Sequence, residues 1–191
     1  MATGRGVVVG IQTSPNLEGL TATVVRAALE GAEDAGATSE LLNLRKMDIQ
    51  ACRACTTGWG TCRTEGACQI PDDFAHVRNI LNNSLAIVFG SPVYFGDLSE
   101  VAKCFLDRLR RCEVNFRSRS KIRGKPALAI VAAGGSGVGV NPAVRNLQRY
   151  FRWLKLHTTE TFPVTQKHVA RQQEEIYIAG KKLVQAARAP G

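Results

Sequence analysis

Four cysteines fall within a 17-residue window, spaced Cys52-x2-Cys55-x6-Cys62-x5-Cys68, and Asp72-Asp73 follow them. Thiolates this close in sequence can converge on one tetrahedral metal ion or on an iron–sulfur cluster. Gly58, Gly60 and Gly66 lie among them and give the backbone freedom to fold around such a centre. No histidine joins the set, so zinc and iron–sulfur are both compatible, and free thiols are the third reading. Cys104 and Cys112 are eight residues apart, about two helical turns, and so share a helix face. A free cysteine commonly packs as a small hydrophobe, and both are read as core. The histidines are scattered; His76 and His157 read as helix-surface or helix-end residues without a chemical role.

Three other segments could hold a ligand. The first, Thr13-Ser14-Pro15-Asn16-Leu17-Glu18-Gly19-Leu20-Thr21, offers hydroxyls and a glycine just ahead of a helical pattern. The N–H groups and dipole of a helix start attract an anion. The segment lacks the lysine of a triphosphate loop and the dinucleotide glycine fingerprint, so a terminal monophosphate fits it best. An ordinary polar capping loop is the alternative. The second, Gly90-Ser91-Pro92-Val93-Tyr94-Phe95-Gly96, places two aromatics between proline and glycine. Exposed backbone beside aromatic faces suits a flat heteroaromatic ring, unless Tyr94 and Phe95 simply plug the core. The third, Ala133-Gly134-Gly135-Ser136-Gly137-Val138-Gly139, has four glycines in six residues, which lets the backbone approach a ligand closely.

The elements that must position these segments alternate between strand and helix. Val7 to Ile11 is a continuous apolar run of the kind buried in a parallel sheet. Val24, Val25, Ala28, Leu29 and Ala32 follow at helical spacing, with Gly36 as the stop. Ser39 to Leu44 is the second strand. After the cysteines, Asp72-Asp73 opens a short helix carrying Phe74, Val77, Ile80 and Leu81, and Leu85 to Phe89 is the third strand. Ser99 is an N-cap with Glu100 in the first turn of a helix that buries Ala102, Phe105, Leu106 and Leu109. Ala127 to Ala132 is the fourth strand. Asn141-Pro142 is a cap followed by proline at the first helical position, ahead of Val144, Leu147, Phe151 and Leu154. Thr158 to Val164 is a weaker fifth strand, and a last helix runs from about His168 to Arg188.

Five strands alternating with helices imply an α/β fold, a doubly wound five-stranded parallel sheet with helices on both faces. Ligands of such sheets sit at the carboxyl ends of the strands near the switch point, where all three candidate loops fall. The 191 residues read as one domain, 1–191, with a Cys-rich insertion at about 50–72.

Composition narrows the function classes. Hydrophobic residues make up 45% and charged residues 21%, which excludes bulk disorder. No apolar run approaches the roughly 18 residues of a membrane span. Val7 to Ile11 is too short for an export-signal core, so a cytoplasmic protein with reduced thiols and no membrane partner is expected. The net charge of +9 raises nucleic acid as a partner. However, the densest basic stretch, Arg108 to Lys125, lacks the interleaved aromatics of a single-strand binder. A solvated basic face is the preferred reading over attraction to an anionic cofactor or an acidic redox partner.

On these three loops and the cysteine segment, the sequence resembles the NAD(P)H-dependent FMN reductase family, and particularly its iron–sulfur flavoprotein branch, to about Leu156. The resemblance implies a flavodoxin-like fold. It implies that FMN is held by Ser14, Asn16, Gly19, Leu20 and Thr21 of the first loop, with Ser14 and Thr21 as side-chain ligands of the phosphate. Family members often carry asparagine where Leu20 stands. From the second loop it implies Pro92, Val93, Tyr94, Phe95 and Gly96, followed by a helix with Lys103 and Asp107-Arg108. From the third it implies Gly134, Gly135, Ser136 and Gly139 flanking the ring. It further implies that Cys52, Cys55, Cys62 and Cys68 hold a 4Fe-4S cluster, although the usual middle gap of that motif is two residues rather than six.

The expected function is therefore FMN-dependent NAD(P)H oxidoreduction. With FMN bound, hydride from a nicotinamide would reach the ring and leave as single electrons to a cluster or as a pair to an acceptor. The flavin carries this chemistry, so no side chain is assigned a catalytic role; Tyr94 and Ser136 are the residues expected to tune the ring environment. Acceptors would be a small molecule such as a quinone or a redox protein such as ferredoxin, and the family tends to form homodimers or homotetramers. A non-enzymatic flavodoxin-like carrier and a plain FMN or quinone reductase without a cluster are the alternatives. A redox-sensing nucleic-acid-binding protein ranks below both.

Overall fold

The computed structural model describes residues 6–114 and 119–189. The first apolar run forms β1 (Val7–Gln12), followed by α1 (Leu20–Asp34) and β2 (Thr38–Asn43). A 3-10 turn at Leu44–Lys46 leads into the cysteine segment, which carries two short helical turns, α2 (Cys55–Gly58) and α3 (Thr61–Thr64). Then come α4 (Phe74–Asn83), β3 (Ala86–Tyr94), β4 (Asp97–Leu98) and α5 (Glu100–Val114). The chain finishes with β5 (Pro126–Ala133), α6 (Val140–Leu154), β6 (His157–Thr165) and α7 (Val169–Arg188).

The sheet order is β2-β1-β3-β5-β6, all parallel, with the two-residue β4 paired antiparallel to the end of β3. The five-stranded parallel sheet of the sequence reading is therefore present, with a short sixth strand added. From β1 the chain crosses one way to β2 and then back past β1 to β3, so the switch point lies between β1 and β3.

Side chains alternate across each strand and fill two cores. Val9, Ile11, Ile87, Phe89, Ala129 and Val131 face the helices α4, α5 and α6, where Phe74, Phe105 and Phe151 are buried. Val8, Val88, Leu128 and Ile130 face α1 and α7. Burial on both faces explains why β1 and β5 read as unbroken apolar runs. Helices α1 and α7 touch backbone to backbone: a Cβ at Gly31 would lie 1.9 Å from Tyr177 O, and one at Gly180 would lie 2.0 Å from Ala28 O.

Several boundaries differ from the sequence reading. Strand β3 runs on to Tyr94, because Ser91 and Pro92 still pair with Val131 and Ala132 of β5. Phe95 (φ 51°) and Gly96 (φ 79°) then form a two-residue hairpin turn into β4, with both centres left-handed as such turns require. Helix α6 starts at Val140 after Gly139, which places Pro142 within the first turn rather than at its first position. There its missing N–H has no partner to lose. His157 opens β6 instead of ending a helix. Among the described residues, no helix is long and apolar enough to cross a membrane.

Candidate functional site

At the carboxyl end of the sheet, a knot of buried hydroxyls fastens the first loop to the second. Thr13, Ser91 and Ser99 are all essentially inaccessible. Thr13 donates from its N–H and from Oγ1 to Gly90 O, at 3.2 Å each. Ser99 Oγ donates to Thr13 Oγ1 at 2.9 Å, and Ser99 N–H donates to Ser91 Oγ at 3.1 Å. Ser99 also caps α5 as the sequence indicated, its Oγ accepting from Ala102 N–H.

The first loop folds on itself and leaves the helix start open. Asn16 N–H donates to Ser14 Oγ at 3.2 Å and Glu18 N–H to Asn16 Oδ1 at 3.1 Å, while Gln12 Oε1 accepts from Ser14 N–H. Arg26 clamps the loop from behind, donating to Leu17 O at 2.6 Å and pairing with Glu18. Helix α1 then begins after Gly19 with no side chain capping its first N–H groups. An uncapped helix start of this kind is suited to an anion. Ser14 and Thr21 are both buried there. Gly90 makes that seating possible, since a Cβ on it would strike Val25 Cγ2 at 2.3 Å and press on Thr21 Cγ2 at 3.3 Å. Leu20 packs on the α1/α7 core, so its contribution to the loop is its backbone.

The second and third loops meet directly. A Cβ on Gly139 (φ 88°) would lie 2.7 Å from Gly96 Cα and 3.0 Å from Gly96 N, so only glycine permits this approach. Asp97 fixes the hairpin from the other side, accepting from Lys103 Nζ at 2.8 Å and from Asn146 Nδ2 at 2.9 Å. Burial works to raise the Asp97 pKa, but the bonds from Lys103, Asn146 and Leu98 N–H outweigh it and hold the carboxyl below its usual range. Gly134 and Gly135 have open space where a Cβ would stand. Tyr94, Phe95 and Val138 are exposed around this edge, so the two aromatics do not plug the core.

The three loops thus gather at one sheet edge: Thr13, just before Ser14, is tied to Gly90 and Ser99, and Gly96 lies against Gly139. The start of α1 lies beside the first loop, and exposed Tyr94, Phe95 and Val138 lie on the second and third. Nothing in the spacing pointed to Thr13 and Ser99, which are 86 residues apart.

The cysteine segment and α5 enclose a small cleft of about 20 Å³, in which Cys52, Cys55, Cys62 and Cys68 line the walls together with Arg108, Arg111 and Cys112. Left-handed residues bracket Cys55, at Ala54 (φ 45°) and Thr56 (φ 54°). Among the described residues, no three histidine, cysteine or acidic side chains are gathered into a ready metal-binding set. The thiols share a cleft without being closed on a common point.

Helix α5 forms the cleft's floor. Arg108, 1% exposed, donates from Nη1 and Nη2 to the two oxygens of buried Asp72, from Nη1 also to Gln50 O, and from Nε to Cys68 Sγ at 3.4 Å. It also lies 4.3 Å over the Phe74 ring. Burial opposes ionisation of Asp72, yet the Arg108 bonds and backbone N–H groups prevail and lower its pKa. Cys112 is buried as expected for core, and burial pushes its thiol up to about 12. Its place among the cleft's thiols was not foreseen. Neither was the placing of Arg108 at the thiols rather than at the flavin-loop helix contact. A cation one turn from Phe105 and Cys112 on a buried stripe is the signal that could have located it.

The parallel sheet order β2-β1-β3-β5-β6, with helices on both faces, defines a flavodoxin-like α/β protein. The structure is similar to NAD(P)H:quinone oxidoreductase from Methanothermobacter marburgensis, with a TM-score of 0.71 and 18% identity over 93% of this chain and 96% of that one. It is also similar to a flavodoxin from the domain Archaea, with a TM-score of 0.63 and 14% identity over 96% of this chain and 99% of that one. Residues 7–169 match the family described as NADPH-dependent FMN reductase, and the chain belongs to that family. It is 34% identical over 128 residues to an iron-sulfur flavoprotein of Methanocaldococcus jannaschii, spanning 67% of this chain and 64% of that one. A second iron-sulfur flavoprotein, from Archaeoglobus fulgidus, is 31% identical over 129 residues, spanning 68% of this chain and 55% of its own. The matched region therefore covers less than two thirds of these relatives. Their names agree with the branch that the cysteine segment resembled.

Proposed function

We propose that this protein is an FMN-dependent NAD(P)H oxidoreductase, built as a single flavodoxin-like domain and carrying a 4Fe-4S cluster on Cys52, Cys55, Cys62 and Cys68. The observation that carries the flavin half is the meeting of three loops: Thr13 bonded to Ser99, and Gly139 laid against Gly96. FMN, when bound, supplies the two-electron and one-electron chemistry that side chains lack. The chain's own residues do the rest. Ser14, Thr21 and the first N–H groups of α1 receive the phosphate. Asn16 and Gly19 shape that loop, and Leu20 contributes its backbone. Gly134, Gly135, Ser136 and Gly139 on one side, with Pro92 to Gly96 on the other, leave room for a planar ring. Tyr94 and Phe95 shield it from water.

Support for the cluster comes from the donor set: four soft thiols on one cleft, with no carboxylate or histidine among the lining residues and with cationic side chains beside them. Metal binding to such a segment is coupled to its folding, so ligands that share a cleft can close on the metal as it binds. The names of the curated relatives favour iron–sulfur over zinc. Electrons would enter from NAD(P)H and leave to a small-molecule acceptor or a redox protein such as ferredoxin. The cytoplasm is the compartment that suits reduced thiols. Exposed Phe95 and Val138 on the second and third loops favour a homodimer or homotetramer that covers them.

Anaerobic purification followed by a visible spectrum, with flavin, iron and sulfide analysis, tests both halves. The expected result is FMN together with iron and sulfide in equal amounts, and bleaching of the flavin band by NADPH or NADH. Protein that neither retains nor takes up FMN overturns the flavin half. Flavin without iron or sulfide leaves a plain FMN or quinone reductase.

A further inference from the structure

A cleft of about 410 Å³ lies between the first loop, α1 and the end of β2, and the flavin reading makes no use of it. Gln12 and Asn43 are register partners at the carboxyl ends of β1 and β2, so the cleft stands at the same sheet edge as the three loops. It shares a wall with the first of them through Leu17, Glu18 and Gln12, whose Oε1 accepts from Ser14 N–H. Its volume falls within the range of about 300–1,000 Å³ usual for small-molecule sites.

The walls combine three kinds of group. Leu17, Leu41 and Met47 offer apolar surface, and Leu41 is 39% exposed although it stands on a strand. Lys46 supplies a cation. In the same 3-10 turn Arg45 is paired with Glu100 at 2.5 Å, whereas Lys46 has no partner among the described residues. Asn43 has an unused donor: its Oδ1 accepts from Arg45 N–H, but its Nδ2 is buried without an acceptor. The other side-chain oxygens of the walls are engaged, Gln12 by Ser14 N–H and Glu18 by Arg26. Apolar surface for a flat ring, a cation without a counter-ion and an amide donor together match a phosphorylated nucleoside.

In doubly wound sheets that bind dinucleotides, the residues following the second strand recognise the adenosine ribose and its 2′-phosphate. Asn43 and Lys46 stand at that place. We infer that this cleft receives the adenosine end of the electron donor, and that Lys46 pairs with a 2′-phosphate there and so selects NADPH over NADH. The inference rests on the NAD(P)H reading proposed for the flavin site. In that reading the first loop holds the FMN phosphate, so the donor's pyrophosphate does not take the place it has in a dinucleotide fold. The cleft lies on the other side of β1 from the second and third loops. Three strand spacings of about 4.8 Å, about 14 Å in all, separate β2 from β5, a span that an extended dinucleotide bridges.

The test is titration calorimetry of FMN-loaded protein with adenosine 2′,5′-bisphosphate and with 5′-AMP, together with steady-state reduction by NADPH and NADH, for wild type, K46M and K46R. Wild type is expected to bind the bisphosphate more tightly than 5′-AMP. K46M should weaken the bisphosphate about tenfold and raise KM for NADPH by a similar factor, with 5′-AMP affinity, KM for NADH and kcat unchanged. K46R keeps the charge and should retain the preference for NADPH. Wild type that does not bind the bisphosphate, or a bisphosphate affinity that K46M leaves unchanged, overturns the site and leaves the reductase standing. A K46M variant that raises KM for both nucleotides alike overturns the selective role of Lys46. A flavin that neither nucleotide bleaches overturns the donor reading, and this inference with it.

Discussion

Replacing Asp72 by asparagine removes the counter-ion of a guanidinium that has no access to water, since the two side chains are 1% and 0% exposed. Asp72 also accepts from Gln50 N–H at 2.8 Å and from Phe74 N–H at 3.2 Å. An amide at this place offers one oxygen where the carboxylate offered two, and it turns a donor toward groups that need an acceptor. Breaking a buried ion pair from one side costs about 3–5 kcal/mol, a large share of the roughly 5–15 kcal/mol that holds a typical domain together. Urea unfolding should show a lower midpoint at unchanged slope. The pH dependence follows from the depressed Asp72 pKa. Its contribution is complete above the unfolded-state value of about 3.9 and is lost as pH falls through the lower folded-state value. The gap between wild type and D72N should therefore narrow below about pH 4. The double variant D72L/R108M removes the unpaired charge and should be less destabilised than D72N, while still losing the acceptor of Gln50 N–H and Phe74 N–H. A D72N cost below about 1 kcal/mol, or a double variant no better than the single one, would refute the account.

Two other substitutions probe the sheet edge and the helix pair. Gly139→Ala places a methyl 2.7 Å from Gly96 Cα at a left-handed position, so the second and third loops must part. The left-handed strain alone is about 1–2 kcal/mol, and FMN affinity measured by fluorescence quenching should fall by at least tenfold while the fold persists. Gly180→Ala drives a methyl to 2.0 Å from Ala28 O between α1 and α7. Overpacking of about 3 kcal/mol, offset by about 1 kcal/mol of helix propensity, leaves a net loss of about 2 kcal/mol. Melting should drop by about 4–8 °C with FMN content unchanged.

Much of this architecture could be read from the chain because local pattern and tertiary burial agree. Val7 to Ile11 and Ala127 to Ala132 are apolar without a break, which only a strand covered on both faces requires, and they lie at the centre of the sheet. The third strand was cut short because Gly90, Ser91 and Pro92 carry the composition of a loop. Their pairing depends on β5, some 40 residues away, and no local rule expresses it. The candidate loops were legible for a geometric reason, since parallel strands deliver every βα turn to the same edge. What fastens those loops was not legible. Thr13, Ser91 and Ser99 are ordinary polar residues whose meaning appears only when they are buried together.

The thiol cleft shows the same division, and α5 links it to the hydroxyl knot at the sheet edge. The cysteine spacing pointed to a cluster, zinc or free thiols, but the floor of the cleft comes from α5, whose apolar stripe carries Phe105, Leu109 and Cys112. Arg108 interrupts that stripe, and a buried cation on a core-facing stripe needs a buried anion. Asp72 supplies it from the far end of the cysteine segment, so one ion pair closes the ligand loop against the helix. The same helix begins at Ser99, inside the hydroxyl knot. Nine residues of helix rise about 14 Å, so the knot and the cleft are held at a fixed, short separation by one rigid element. A flavin at one end and a sulfur centre at the other would then exchange electrons along a structure that does not need to move.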